Sequence, residues 1–199
     1  MGLVVNGLTS KLLHDCHLAV EAGEAVTLQG ASGSGKTVFL RAVADLDPNE
    51  GDIRLDDIPR TAMAGPEWRR KVRFVAAEAA WWLDRVGGHF RAPDASVPLA
   101  CEIGLPADCM GWEVARLSTG EKQRLGFLRA IEDKPPVLLL DEPTSALDEE
   151  AERAVEGVIG RLRADGAAIV LVTHSDAQAR RLAGRHVRMA GGRLFGEAA

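Results

Sequence analysis

No apolar run in this 199-residue chain approaches the ~20 residues that a membrane-spanning helix needs. Met1 to Val5 lacks the basic start of a signal peptide, and the apolar stretch there soon meets polar residues, so none is expected. A basic excess is missing too. The formal net charge of −5 gives no footprint for nucleic acid, and Arg69-Arg70-Lys71 and Arg180-Arg181 read as solvated helix faces. Cysteine is scarce: Cys16, Cys101 and Cys109 are odd in number and form no C-x-x-C, which fits reduced thiols in a cytosolic protein. His14-Asp15-Cys16-His17 invites a metal reading. In the strand expected there, alternation sends His14 and His17 to opposite faces, which argues against it. What is present is ordinary for a globular protein, 46% hydrophobic and 27% charged, in a chain long enough to bury a core.

The most specific stretch is Gly30-Ala31-Ser32-Gly33-Ser34-Gly35-Lys36-Thr37, which fits G-x-x-x-x-G-K-[ST]. Glu24–Gln29 before it reads as a strand and Val38–Val43 after it as a helix, the context that a phosphate-binding loop needs. Glycines let the backbone approach phosphates, so that successive N–H groups and the helix N-terminus face negative charge. Lys36 is expected to reach the β- and γ-phosphates of a nucleotide, and the Thr37 hydroxyl to ligate Mg²⁺.

Residues 3–29 read as strands joined by turns, with Glu21-Ala22-Gly23 as the turn before the loop strand. Asn49-Glu50-Gly51 punctuates the end of the first helix, and Asp52–Asp56 alternates as a half-buried strand does. Pro66 opens a short helical turn, followed by a strand at Val72–Val75. From about 79 to 116 two tryptophans, several prolines and glycines interrupt any single period, predicting a small, partly helical insert. A helix runs from Ser118 to about Asp133. Val137–Leu140 and Ala168–Val172 are continuous apolar runs, as expected of strands buried on both faces. The helix at 149–165 carries an apolar face of Ala151, Val155, Val158, Ile159 and Leu162, and Gly191-Gly192 reads as a hairpin turn. Strands alternating with helices imply a parallel sheet covered on both faces.

Val137–Leu140 runs into Asp141-Glu142. A buried strand delivers both acids to the carboxyl edge of the sheet, where open α/β sheets bind ligands. There Asp141 suits a Mg²⁺ shell, and Glu142 suits orienting or deprotonating an attacking water. Ser118 and Glu121 form a capping box at a helix start. Capping chemistry alone does not separate a structural helix start from a phosphate-facing one.

With Leu117-Ser118-Thr119-Gly120-Glu121, the acidic strand, Ser145-Ala146-Leu147-Asp148 and His174 following the phosphate loop in order, the chain resembles the nucleotide-binding subunit of ABC transporters over roughly residues 3–195. The resemblance implies an α/β fold: a P-loop NTPase with a mostly parallel core sheet, an N-terminal antiparallel β-subdomain and a small helical insert. It implies a single nucleotide-binding domain over 1–199, its insert and helical part at about 79–133. It implies a Mg²⁺-dependent ATPase working as a head-to-tail homodimer with two ATP molecules between subunits. Ser118, Thr119, Gly120 and Glu121 of one chain would then meet the ATP on Lys36 and Thr37 of the other. Asp148 would couple the sites, and His174 would contact the γ-phosphate and hold the attacking water with Glu142. The chain would be cytoplasmic, on the inner face of the cell membrane, driving an integral-membrane permease. Its compactness, Gly120–Arg124 and Ser145–Glu149 look most like small bacterial subunits linked to metal, notably iron, export.

Three departures keep other readings open. Ala77 stands where the family has a glutamine, with Glu78 next as a shifted candidate metal contact. Thr119 replaces a glycine, which strains the backbone if φ there is positive. No Tyr or Trp precedes residue 30 to stack on adenine, leaving Leu8 as the nearest candidate. A soluble ABC ATPase without a transport role, and a slow or degenerate nucleotide-sensing cassette, are the alternatives. Trp81, Trp82 and Phe90 offer either an exposed patch for a membrane partner or the core of the insert.

Overall fold

The computed structural model describes residues 2–196. Two sheets build it. The smaller is antiparallel, in the order β2-β1-β4-β5, from β1 (Gly2–Thr9), β2 (Cys16–Glu21), β4 (Glu50–Leu55) and β5 (Ile58–Pro59). The larger comprises β3 (Ala25–Gln29), β6 (Val72–Val75), β7 (Val137–Asp141), β8 (Ala168–Val172), β9 (Arg185–Ala190) and β10 (Arg193–Phe195), in the order β10-β9-β3-β8-β7-β6. Every pairing in it is parallel except the β9–β10 hairpin, which turns at Gly191-Gly192 as expected. The α/β class with a mostly parallel sheet and an antiparallel N-terminal sheet is therefore the observed fold.

The apolar runs of β7 and β8 have a simple cause. Successive strand side chains point to opposite faces, so a strand covered on both sides needs apolar residues throughout. Val137, Leu139, Ala168, Val170 and Val172 enter one core with Phe39, Leu40 and Trp68. Leu138, Leu140, Ile169 and Leu171 enter a second with Leu125, Phe127, Val155 and Ile159. The first core lies under α1 (Lys36–Val43) and α2 (Gly65–Lys71). The second lies under α4 (Thr119–Ile131) and α5 (Glu149–Ala164), the α5 stripe being the one expected from its spacing. The other helices are α3 (Pro93–Glu102) and α6 (Asp176–Leu182), the latter not marked by any period in the sequence.

Several local expectations shift. Asn49-Glu50-Gly51 is not a turn throughout: β4 begins at Glu50, and α1 already stops at Val43. Asn49 instead donates from Nδ2 to the Ala42 carbonyl at 3.1 Å, satisfying one helix-end acceptor as the chain returns. Arg181 is not on a solvated face, because it bonds Glu156 and Glu152; Arg180 is exposed. Trp81, Trp82 and Phe90 do not form one patch. Phe90 is buried in the second core, whereas Trp82 is 68% exposed. The buried His89 separates the two: its Nε2 accepts from the N–H groups of Trp82 and Leu83, both at 3.0 Å, placing its proton on Nδ1 toward the Arg85 carbonyl at 3.1 Å. Among the described residues no helix is long and apolar enough to cross a membrane.

Candidate functional site

β3 ends at Gln29, the chain turns through Gly30–Gly35, and α1 begins at Lys36. Gly30 is required: a Cβ there would sit 2.2 Å from the Met189 carbonyl oxygen, and its φ of 155° disfavours any side chain. The loop is braced by Gly192 N–H, donated to the Ser34 carbonyl at 3.1 Å. Lys36 is 7% exposed and its Nζ donates to the carbonyls of Gly30 (2.8 Å) and Ala31 (3.1 Å). That leaves one of the three ammonium donors unassigned. The Ser34 hydroxyl is buried in the same loop with no protein partner.

α1 then brings Thr37 to the end of β7, where its Oγ1 donates to Asp141 Oδ2 at 2.7 Å. Burial pushes the Asp141 carboxyl above its ordinary range, and the Glu142 charge adds to this; the Thr37 hydroxyl, Lys36 and His174 oppose it. Glu142 has φ 49°, a left-handed conformation costing on the order of 1–3 kcal/mol for a residue with a side chain. Its backbone is pinned on both sides, by its N–H to the Val172 carbonyl at 3.0 Å and by Gln123 Nε2 to its own carbonyl at 2.9 Å. The Glu142 carboxylate meets His174, with Oε1 2.9 Å from Nε2. His174 follows β8, whose last residue pairs with Asp141 across the sheet, so the parallel register brings the two turns to the same edge.

Gln123 carries no expected role in the sequence, yet its side chain also reaches the Ala77 carbonyl (3.2 Å), Ser145 Oγ (3.2 Å) and the Ala146 N–H (3.0 Å). Its signal was a polar residue on the inward stripe of α4, in step with buried Phe127 and Ala130.

A cavity of about 510 Å³ opens over the phosphate loop. Glu142 and His174 line one side, and Leu12 and His14 line another, with the Gly191-Gly192 turn. Leu8, the expected neighbour of a base, is wholly buried in the first core. The bulge between Val5 and Leu8 and the turn after β1 present Leu12 and His14 instead, tied by His14 N–H to the Gly192 carbonyl at 2.8 Å. Spacing could not reveal this, because the contact joins the two ends of the chain.

The Leu117–Glu121 stretch lies elsewhere. Ser118 caps α4 and Glu121 completes the capping box, with Ser118 N–H to Glu121 Oε2 at 2.8 Å. That backbone bond holds the Glu121 carboxyl below its ordinary range. Thr119 is the first helical residue, and it is absent from the left-handed region, so the replacement of glycine there is unstrained. At Gly120 a Cβ would stand 3.0 Å from the Ala146 carbonyl oxygen, so the helix start packs on the 145–148 loop through bare backbone. Asp148 caps α5, its Oδ1 accepting from Ala151 N–H at 2.9 Å. Glu78 is exposed on the loop after β6 and does not line the cavity. The structure thus gathers residues 30–37, Asp141, Glu142 and His174, and sets Glu78, residues 118–121 and Asp148 apart from them.

Residues 13–145 match the sequence profile of the ABC transporter family. A phosphate import ATP-binding protein of Natronomonas pharaonis is 34% identical over 98% of this chain and 78% of its own length. An aliphatic sulfonates import ATP-binding protein of Granulibacter bethesdensis is 36% identical over 95% of this chain and 78% of its own length. Among solved structures, an ATP-binding subunit of an ABC transporter superposes with a TM-score of 0.88 at 26% identity, covering 98% of this chain and 90% of that one. A dimeric bacterial ABC transporter cassette shares the fold with a TM-score of 0.83 at 23% identity, covering 96% of each chain.

Proposed function

The chain belongs to the ABC transporter family and is an ATP-hydrolysing enzyme, and from that premise we propose that it is the motor subunit of a transporter, powering a separate membrane permease. The observation that carries the site assignment is the meeting of the phosphate loop, the Thr37–Asp141 bond (2.7 Å) and the Glu142–His174 pair (2.9 Å) at one sheet edge. We read 1–199 as one nucleotide-binding domain with its helical part at 79–133; Met1 and residues 197–199 lie outside the described residues.

In this reading Gly30, Ser32, Gly33, Ser34 and Gly35 turn their backbone toward the phosphates of ATP, and Lys36 turns its spare donor to the β- and γ-phosphates. The base lies against Leu12 and His14, a smaller and more polar wall than a tyrosine or tryptophan ring. Hydrolysis forms a bond from a water oxygen to the γ-phosphorus and breaks the bond to the ADP oxygen. Glu142 takes the water's proton: His174 occupies Oε1 at 2.9 Å, which leaves Oε2 for the water. Mg²⁺ suits the donors present. The Thr37 hydroxyl and Asp141 carboxylate are hard oxygen ligands, and the burial and like-charge penalty on Asp141 is one that a cation relieves. Thr37 and Asp141 would hold the ion, which would supply neutralising charge at the phosphates, whereas Glu78, exposed and outside the cavity lining, is not placed to join them.

Ser118, Thr119, Gly120, Glu121 and Asp148 lie outside the cavity lining, and a second copy packed head to tail would supply them in trans. We place the chain peripherally on the inner face of the cell membrane, with Trp82 as the exposed aromatic offered to the permease. For cargo, the compact chain and the Gly120–Arg124 and Ser145–Glu149 stretches favour metal, notably iron, export. The phosphate and sulfonate import relatives favour anion import as the second reading. Reconstituting the chain with its permease in vesicles, and following a metal ion or an oxyanion, decides between the two.

The motor reading is tested by the solution size of Glu142→Gln protein with and without Mg-ATP. An ATP-dependent shift from monomer to dimer is expected. A persistent monomer that binds ATP would remove the trans role of residues 118–121 for the isolated chain.

A further inference from the structure

Glu142 and His174 sit on turns that leave adjacent parallel strands, and neither side chain is held by burial, His174 being 59% exposed and Glu142 32%. Their relative placement must therefore come from what fixes the turns. One tie is the backbone bond from Glu142 N–H to the Val172 carbonyl at 3.0 Å. The second is a buried side-chain bridge. Gln178, 1% exposed, donates from Nε2 to Thr144 Oγ1 at 2.8 Å and to Glu156 Oε1 at 3.1 Å. Thr144, 5% exposed, lies just past Glu142; Gln178 lies in the first turn of α6, just past His174. The Gln178 N–H also reaches Ser175 Oγ at 3.2 Å, and the Ser175 N–H reaches Thr173 Oγ1 at 3.0 Å, so the His174 turn is bonded on both of its flanks.

The bridge has a firm anchor. Glu156 is clamped by Arg181 through Nε (2.8 Å) and Nη2 (2.5 Å), and the same Nη2 bonds Glu152 at 2.7 Å. Stability alone gives no reason for an amide facing a hydroxyl here, since replacing both partners of a buried hydrogen bond by apolar groups of the same shape is often nearly neutral. What the bond adds over an apolar contact is a fixed distance and direction between the start of α6 and the loop after β7.

We propose that Gln178 is a positioning residue for ATP hydrolysis: bonded to Thr144, it sets the His174 turn against the Glu142 turn. The inference rests on the hydrolytic roles proposed for Glu142 and His174. By bridging the turns it acts on the pair without touching nucleotide.

The test is steady-state ATPase kinetics on the full chain. Gln178→Leu and Thr144→Val should each lower kcat about tenfold or more, since small misplacements of reacting groups are costly, with KM for ATP unchanged within about twofold. Thr144→Ser, which keeps the hydroxyl, should restore kcat. The Gln178→Leu/Thr144→Val double variant should be no slower than the slower single variant, and His174→Ala/Gln178→Leu no slower than His174→Ala, each within about twofold. Turnover near wild type in Gln178→Leu, a matching rise in KM, or losses that multiply in the His174→Ala background would overturn the proposal. So would a failure of both Gln178→Leu and Thr144→Val to fold, which would make the bridge a folding contact. Full turnover in His174→Ala would overturn the underlying hydrolytic reading instead, whatever Gln178 does.

Discussion

The phosphate-loop edge and the 79–116 insert are held together in different ways. At the loop edge, parallel register does most of the placing: β3, β7 and β8 end together, and Lys36, Thr37, Asp141, Glu142 and His174 follow from where those strands stop. In the insert, apart from α3 and the apolar side chains it sends into the second core, order depends on single contacts. An isolated bridge joins Arg85 to Glu113, His89 closes the Trp82–Leu83 turn, and Arg129 lies over the rings of Trp81 and Trp82 at 4.8 and 4.9 Å. Periodic backbone structure writes itself into sequence as a repeat; a turn closed by one histidine does not.

The sharpest way to use this contrast is to change chemistry at the loop edge without changing its scaffold. Glu142→Gln keeps the side-chain shape, and the bonds pinning its backbone come from Val172 and Gln123, so the fold should be untouched. Turnover should fall by about two orders of magnitude or more, as for loss of a general base, while ATP binding is retained. Single-turnover hydrolysis beside nucleotide titration checks both, and undiminished turnover would remove Glu142 from that role.

The insert should respond the other way round. His89→Leu leaves the Trp82 and Leu83 N–H groups without their acceptor, at a cost of about 0.5–1.5 kcal/mol for a hydrogen bond in a part-buried turn. We expect a lower melting temperature and faster amide exchange confined to that turn, with ATP affinity unchanged. Equal loss of ATP affinity would show that the two regions are coupled more tightly than their separate supports imply.

This division also sets what could be read from sequence. The phosphate loop, the buried runs of β7 and β8, the capping box at Ser118 and the acids at the end of β7 are local patterns with a backbone cause, and each appears where its spacing places it. Leu12 and His14 were hidden, because their place at the cavity depends on the β9–β10 turn at the far end of the chain. Gln123 and Gln178 were hidden for another reason: a buried amide looks like any polar residue until its partners on other elements are known. Arg181 misled through its neighbour, since Arg180-Arg181 has the appearance of a solvated pair while only Arg180 is exposed.

A subtler difference is expected within the loop edge itself, between function and stability. Asp141 is raised by burial and by Glu142, so its folded pKa exceeds its unfolded one. The sign follows: the charged form is penalised in the fold, the penalty is fully present above the folded pKa, and it vanishes below the unfolded one. Asp141→Asn should therefore raise the melting temperature at neutral pH, while turnover falls. The gain should shrink as pH drops through the acidic range. Thermal melts across pH test this, and an equal or growing gain at low pH would contradict it.

The smallest expected effect separates the two regions at their junction, where α4 leaves the insert. Thr119 departs from the family pattern, and a strained backbone there would make Thr119→Gly stabilising. The residue is instead the first of α4 and has no positive φ. Glycine at that point gains no conformational relief and adds freedom to the unfolded chain, so Thr119→Gly should destabilise by up to about 1 kcal/mol. Because Ser118 and Glu121 carry the cap through their own bonds at 2.8 and 3.3 Å, the helix start should persist in the variant. Chemical denaturation gives the sign directly. A stabilised Thr119→Gly protein would mean that the helix start is held under strain in solution, and that the replaced glycine matters to how this end of α4 meets its partner.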